Sequence, residues 1–205
     1  MSTNAHSSPL PNPPRLPRGR PRSENKRRTI LNAGAALVDE RGYHATTMES
    51  VASRAGVGKM TIYRWWRSKA ALFLEIYIDL APPDAVVIES ADPKSDLRHL
   101  LSSSNKILRT TPAGPVLAGL ITDAQHDIAA HDAVHGGLIA GRCELLTGPF
   151  ERAIEMGVLG DSFDLEFAAE LMVGMIWQRL LTAPDRLDDR FANRLVDTVF
   201  ALGDH

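Results

Sequence analysis

Residues 46–69 read TTMESVASRAGVGKMTIYRWWRSK, which has the spacing of a helix-turn-helix followed directly by a further helix. Thr46 and Glu49 lie three residues apart, the spacing of a capping box, in which two side chains satisfy free amides at a helix start. Apolar residues then recur at helical spacing, at Met48, Val51, Ala52 and Ala55. Gly56 follows where a chain leaving a helix adopts a positive φ, which glycine does without strain. We therefore predict a two-turn helix, a tight turn and a second helix from Gly58 to Trp66.

The predicted second helix has one apolar side and one side rich in hydrogen-bond donors. Val57, Ile62 and Trp66 are expected to face the first helix and the domain core. The opposite side carries Lys59, Thr61, Tyr63 and Arg64. A short helix with such a face suits the major groove of DNA and its flanking phosphates. Ser68 is expected to cap the next helix, and Lys69 lies beside the positive end of that helix, where a phosphate would be held.

The segment AGVGKMTIYRWWRSKAALF, residues 55–73, resembles the DNA-binding signature of the TetR family of bacterial transcriptional regulators. The residues that match the family pattern are Thr47, Ala52, Ala55, Gly56, Val57, Thr61, Ile62, Tyr63, Trp66, Ser68 and Lys69. The chain departs from the pattern at Met60, at Trp65 and at Gly58, which stands where the family has Ser or Thr and so removes a cap and a phosphate contact. The resemblance implies an all-α protein with an N-terminal three-helix DNA-binding domain and a larger helical domain for ligand binding and dimerisation.

The distribution of charge supports a polyanionic partner. The net charge of the 205 residues is −2, but residues 15–69 hold 13 Lys or Arg against 4 Asp or Glu, a local charge of +9. The rest of the chain carries −11. A basic block on an acidic body is the electrostatic footprint of a nucleic-acid-binding protein. The alternative is a solvated surface on which charges fall at random.

Residues 1–22 are predicted to form a disordered basic arm, because six prolines leave few backbone donors and little apolar surface. Arg18 and Arg20 are candidates for contacts in the minor groove, as in homeodomain arms. A merely solubilising tail is the open alternative. The helix-turn-helix domain is assigned to residues 23–68, with its first helix at 24–42, and the effector-binding and dimerisation domain to residues 69–205.

The larger domain reads as helical throughout. Helix breaks are expected at Ala81-Pro82-Pro83, at Thr111-Pro112 and at Gly148-Pro149, the last of which should kink or split a helix running from Asp132 to Met156. A final helical pair is predicted at 164–181 and 187–202. Its second helix is expected to bury Phe191, Leu195, Val199 and Leu202. Phe167, Met175, Trp177 and Leu181 exceed what one core face of the pair needs.

The resemblance explains this surplus apolar surface, since in the TetR family the last two long helices pair across a two-fold axis to form a homodimer. Symmetric dimers also match palindromic operators. The alternative is that both faces pack inside one monomer. In the same family an aromatic residue at the position of Tyr43 packs into the small domain.

Other kinds of chemistry find little support in the sequence. His131 and His135 stand four residues apart and could chelate a metal together with His126, but solvated or pocket-lining histidines explain them more simply. The single cysteine, Cys143, indicates a reducing compartment, and no apolar run or signal peptide is present, so we expect a cytoplasmic protein with no membrane partner. There is no phosphate-binding loop, dinucleotide fingerprint or nucleophile elbow. We expect neither enzymatic activity nor a cofactor.

The function predicted from the resemblance is that of a transcriptional regulator, a repressor in most such proteins, released from a DNA operator by a small hydrophobic effector. The candidate DNA contacts are Thr47, Lys59, Thr61, Tyr63, Arg64, Lys69, Arg18 and Arg20. The candidate pocket residues are Leu101, Leu120, Ile121, His126, Leu138, Met172 and Trp177, each of which could equally belong to the core. One alternative is a nonspecific architectural DNA-binding protein that relies on the basic arm. Another is a helical ligand-binding or enzymatic protein whose head has lost DNA binding.

Overall fold

The computed structural model describes residues 20–82 and 90–203, although for residues 20–23, 133 and 137–142 only the backbone is described. Within those ranges the chain is all-α, as predicted. The ten α-helices are α1 (Arg20–Arg41), α2 (Met48–Arg54), α3 (Lys59–Trp65), α4 (Lys69–Leu80), α5 (Pro93–Thr110), α6 (Ala113–Asp123), α7 (Ile128–Ala133), α8 (Ala140–Glu155), α9 (Leu165–Thr182) and α10 (Asp189–Ala201). No helix in these ranges combines the length and apolar character that crossing a membrane requires.

The first helix is longer at its start than the sequence suggested. α1 begins at Arg20 rather than at residue 24. Three residues of the predicted arm therefore belong to the helix, since arginine is a good helix former and Pro21 is tolerated in a first turn. Arg18 and the rest of the predicted arm lie outside the described residues.

The helix-turn-helix forms as predicted, but with a different cap on α2. The N-cap is Thr47, whose hydroxyl accepts from the Ser50 amide at 3.2 Å, while the Ser50 hydroxyl accepts from the Thr47 amide at 3.0 Å. The predicted box of Thr46 and Glu49 is wrong because the buried Thr46 hydroxyl donates to the Gly42 carbonyl at 2.8 Å. Both adjacent threonines could have capped α2, and the bond between Thr46 and the residue that follows α1 leaves this role to Thr47.

The inner faces of the small domain follow the predicted periodicity. Met48, Val51 and Ala52 of α2 are buried, and Ile62 of α3 is fully buried against them. Gly56 takes the positive φ of 65° that lets the chain turn between α2 and α3. α4 is capped by the Ser68 hydroxyl, which accepts from the Ala71 amide at 3.1 Å, also as predicted.

α4 joins the small domain to the larger one, because it packs against helices of both. It contacts α1 in the small domain and α6 and α7 in the larger one. α5 lies between α8, α10 and α6, and α9 packs on α8. Buried Phe73 and Ile76 of α4 and Leu117 and Leu120 of α6 share one continuous core with the small domain. The two domains are therefore packed together rather than joined by a loose linker.

The long helix expected from Asp132 to Met156 is irregular at a different place from the one predicted. α8 continues through Pro149, and the break is instead a π-helical segment at Val134–Ile139. A proline removes one backbone hydrogen bond, and the neighbouring residues Phe150 and Ala153 are fully buried, so packing holds the helix together. The prediction that Gly148-Pro149 splits the helix is wrong.

The last helical pair is confirmed at α9 and α10, with a 3₁₀ turn at Pro184–Arg186 between them. Phe191, Leu195 and Val199 of α10 are buried as predicted, whereas Leu202 follows the end of the helix and is 60% exposed. Phe167, Met175 and Leu181 of α9 are exposed on the single chain. The predicted surplus of apolar surface therefore exists at these three positions.

Candidate DNA-binding surface and its connection to the larger domain

The candidate recognition helix α3 presents its polar side chains outward and buries its apolar ones. Lys59, Tyr63 and Arg64 are exposed and Thr61 is half-buried, while Ile62 and the adjacent Trp66 are buried. The indole Nε1 of Trp66 donates to Glu75 Oε2 at 2.7 Å, which ties the end of α3 to α4. Three of the four predicted donors of α3 are therefore exposed on a helix that is fixed from behind. Lys59 and Tyr63 lie on one side of it because they stand four residues apart, whereas Thr61 points to another side.

Two of these donors converge on one carboxylate of α2. The Lys59 Nζ lies 2.8 Å from Glu49 Oε1, and the Tyr63 hydroxyl donates to the same oxygen at 2.8 Å. The Lys59 ammonium also lies 5.5 Å from the centre of the Tyr63 ring. These bonds, led by the one from Lys59, lower the pKa of Glu49 to about 2. The carboxylate is therefore ionised at neutral pH, in the middle of the proposed contact surface.

Thr47 and Lys69, the two predicted phosphate contacts outside α3, both already have partners in the protein. The Thr47 hydroxyl caps α2. The Lys69 Nζ donates to the Tyr43 carbonyl at 3.1 Å and lies 3.9 Å from the centre of the Tyr43 ring. Burial lowers the pKa of Lys69, with the nearby charge of Asp123 acting in the opposite direction. An ammonium has three donors, so two remain for a phosphate.

Tyr43 connects the small domain to α6 of the larger one. Its ring is buried, packs edge to face on Phe73 at a centroid distance of 4.9 Å, and lies against Gly119 of α6. The Tyr43 hydroxyl donates to Asp123 Oδ2 at 2.8 Å. Burial and this bond raise the pKa of Tyr43 far above its ordinary value, so the phenol stays protonated as a donor. We call Tyr43, Lys69, Gly119 and Asp123 the interdomain contact.

An apolar cleft opens in the larger domain, with a cavity volume of about 50 Å³. Its lining includes Tyr77 of α4, Leu101 and Leu108 of α5, Leu117 of α6, Leu146 of α8 and Trp177 of α9. None of the described residues that line it carries a charge. A lining of this apolar character suits a small, largely apolar molecule.

The predicted pocket residues are only partly brought together by the fold. Leu101 and Trp177 line the cleft. Leu120, Ile121 and Met172 are buried in the core without lining it, and His126 is exposed. The side chain of Leu138 lies outside the described part of the chain. Helical spacing marks buried positions, but five helices contribute to the lining of the cleft, and spacing within one helix cannot locate that place.

The histidines do not gather into a metal site. His131 and His135 stack at a centroid distance of 4.3 Å on an exposed surface. In the described ranges no three His, Cys, Asp or Glu side chains come together in a way that could hold a metal ion. Cys143 is half-buried, and burial raises the pKa of its thiol, which opposes reactivity.

Three residues of this region were missed by sequence reasoning. Glu49 was assigned to a cap, while Gly119 and Asp123 were not singled out at all. For Glu49, the only hint in the sequence was the presence of a basic residue, Lys59, ten positions later. No sequence signal marked the other two, since their partner Tyr43 lies 76 and 80 residues away along the chain.

Comparisons with known proteins agree with this architecture. Residues 30–76 match the model of bacterial regulatory proteins of the tetR family, and residues 87–199 match that of the tetracyclin repressor-like C-terminal domain. YdeS of Bacillus subtilis, an uncharacterised helix-turn-helix transcriptional regulator, is 31% identical over 89% of this chain and 92% of its own. The DNA-binding transcriptional repressor TetR of Mycobacteroides abscessus is 30% identical over 88% and 95%. The solved structure of the TetR family transcription regulator SCO0332 is 29% identical, with a TM-score of 0.72, over 86% of this chain and 97% of that one.

Proposed function

Because this chain belongs to the TetR family of bacterial transcriptional regulators, we propose that it is a sequence-specific repressor released from a palindromic operator by a small hydrophobic ligand. Members of the family bind DNA and small-molecule effectors and function as dimers. The observation that carries the proposal is the set of exposed donors Lys59, Tyr63 and Arg64 on α3, in a head of charge +9 packed on a domain that contains an apolar cleft. Together they supply a polyanion-binding surface and a ligand site in one molecule.

On DNA, Lys59 and Thr61 contact base edges in the major groove, while Tyr63, Thr47 and Lys69 position the backbone. Arg64 adds a further contact from the exposed side of α3. Backbone contacts fix the register of a protein on DNA, whereas base contacts supply its sequence preference. Arg18 and Arg20 extend the surface into the minor groove, where a narrow groove concentrates negative potential.

The homodimer forms through α9 and α10. The exposed Phe167, Met175 and Leu181 of α9 support this assignment, because they would leave water on pairing with a second copy. A two-fold dimer places two α3 helices on successive major grooves, about one helical turn apart.

Ligand binding reaches the head through α6. Leu117 of α6 lines the cleft, and Gly119 and Asp123 of the same helix contact Tyr43. A ligand that displaces α6 therefore displaces the support of Tyr43 and Lys69. The ligand can weaken DNA binding only by the difference between its affinities for the two arrangements.

The test is selection of bound sequences from a random duplex pool by the purified full-length protein at several salt concentrations. Enrichment of one palindrome of about 14–20 base pairs, the size of two half-sites a helical turn apart, supports the proposal. Binding without enrichment that fades as salt rises indicates an architectural protein instead. No binding at any salt concentration refutes DNA binding and moves the function into the larger domain.

A pair of variants checks the docking on the enriched duplex. Lys69→Ala should weaken binding to all sequences and reduce the salt slope by about one. Lys106→Ala removes the same charge from an exposed position on α5 and should leave both unchanged. Equal behaviour of the two variants contradicts the role of Lys69.

A further inference from the structure

Glu49 is an acidic group in a place where attraction to DNA phosphates demands basic ones. It is exposed on α2 and faces α3 through bonds to Lys59 and Tyr63, which are residues 10 and 14 positions later. Surface ion pairs contribute little to folding. The ion pair between Glu49 and Lys59 therefore matters more for the groups of DNA that Lys59 and Tyr63 can contact than for the stability of the domain.

We propose that Glu49 is a specificity-determining residue that acts through Lys59, by restraining the ammonium group on α3 and withholding it from the phosphates of unrelated DNA. The proposal rests on the DNA-binding function proposed above. A free lysine on a flexible four-carbon chain reaches phosphates on any sequence. With its ammonium held by Glu49, Lys59 leaves that position only where a correctly placed base-edge acceptor, together with the other contacts of a matching duplex, compensates for the loss of the carboxylate.

The geometry supports a restraint rather than a chance encounter. One carboxylate oxygen accepts from both the Lys59 ammonium and the Tyr63 hydroxyl at 2.8 Å. Lys59 and Tyr63 stand four residues apart, so they lie on the same side of α3. The ammonium also approaches the Tyr63 ring, which narrows its positions further. Glu49 thus fixes two neighbouring donors of the recognition helix from a different helix.

The magnitude follows from the release of counterions. One additional lysine–phosphate contact makes the salt slope steeper by about 0.9 and strengthens nonspecific binding about fivefold at 0.15 M salt. Glu49→Gln keeps the shape of the side chain but removes its charge, which weakens its hold on the ammonium. We therefore expect the affinity of the variant for a scrambled duplex to rise about fivefold. Its affinity for the selected duplex should change less, so the ratio of the two affinities falls.

The experiment compares binding of the full-length protein to the selected duplex and to a scrambled duplex of the same length and composition, across salt concentrations. Glu40→Gln is the matched control, because Glu40 is similarly exposed in the same domain and is paired with Arg54 rather than with α3. The control should leave the ratio of affinities and the salt slope unchanged. Equal effects of the two variants would show that only net charge matters and would overturn the proposal.

A double-mutant cycle with Lys59→Met separates restraint from simple repulsion of phosphates by the carboxylate. In the Lys59→Met background the gain in nonspecific affinity caused by Glu49→Gln should disappear. If the gain persists at full size, Glu49 does not act through Lys59 and the proposal fails. A wild-type protein that enriches no sequence refutes the proposed function instead. If the wild-type protein is specific and Glu49→Gln leaves both affinities unchanged, only this inference is refuted.

Discussion

Gly119→Ala is the substitution that most directly tests the interdomain contact. Gly119 lies inside α6, and an added Cβ would come within 2.1 Å of Cδ1 and 2.2 Å of Cγ of the Tyr43 ring. Carbon atoms in contact are about 3.5–4.0 Å apart, so the ring and the helix would have to separate by about 1.5 Å. The ring cannot move away freely, because it is buried against Phe73 and its hydroxyl is bonded to Asp123.

The expected cost combines two opposing effects. Overpacking of this kind costs about 1–3 kcal/mol. Alanine inside a helix is favoured over glycine by about 0.5–1 kcal/mol, which offsets part of that cost. We expect a net loss of about 0.5–2 kcal/mol in the free energy of unfolding. For a chain of this length, each kcal/mol lowers Tm by about 2–4 °C.

Urea unfolding and a thermal melt of the purified protein measure this loss. Gly148→Ala is the control, because it also lies inside a helix, α8, and the nearest atom to its added Cβ is Arg152 Nη1 at 4.0 Å. The control should change the free energy of unfolding by less than about 0.5 kcal/mol, because the helical preference for alanine is offset by the clash of its Cβ with the following Pro149. If Gly119→Ala is as stable as Gly148→Ala, the Tyr43 ring does not pack on α6 and the proposed route from cleft to head is wrong.

The remaining predictions concern an ion pair, the dimer and a helix cap. Asp96 is buried, which acts to raise its pKa, but hydrogen bonds from Ser90 and Arg152 outweigh burial, so its pKa lies below the ordinary value. A carboxylate whose pKa is lower in the folded than in the unfolded state stabilises the fold above about pH 4, and this stabilisation is lost as the pH falls. Asp96→Asn should therefore lower the free energy of unfolding by about 1–3 kcal/mol at pH 7. In urea unfolding, the stability of this variant should fall less steeply with decreasing pH than that of the wild type; an equally steep fall contradicts this. Phe167→Asp should turn the dimer into a monomer in sedimentation equilibrium, whereas Ile128→Asp, also exposed but on α7, should not; a dimeric Phe167→Asp places the interface elsewhere. Ser68→Ala should lower the free energy of unfolding by about 1 kcal/mol in the same urea assay, since it removes the cap of α4; an unchanged value shows that the cap contributes nothing.

The predictable part of the candidate site lies within single helices. The polar side of α3 and the buried positions Ile62 and Trp66 followed from helical periodicity, which is a property of neighbouring residues. The cap at Ser68 and the turn at Gly56 followed from short-range backbone chemistry. The prediction for Thr46 was wrong at the same scale, because the Gly42 carbonyl, directly after α1, accepts a hydrogen bond from that hydroxyl.

The residues that line the candidate pocket could not be identified from helical periodicity. Leu120 and Met172 have the periodicity of pocket residues and also that of core residues, and the fold places them in the core. Leu101 of α5 and Trp177 of α9 line the cleft instead. Burial can be read from one helix, but an empty volume depends on the relative placement of several helices.

The sequence by itself determined the helix-turn-helix, the helical class, the ends of most helices and the division into a basic head and an acidic body. Each depends on residues only a few positions apart or on composition, so the pattern and its cause lie in the same stretch of chain. The tertiary structure alone decided that Glu49 holds Lys59 and Tyr63, that Tyr43 reaches Asp123 across 80 residues, and where the cleft opens. These features arise when separate helices pack, because packing sets the distances between side chains that the order of residues leaves free.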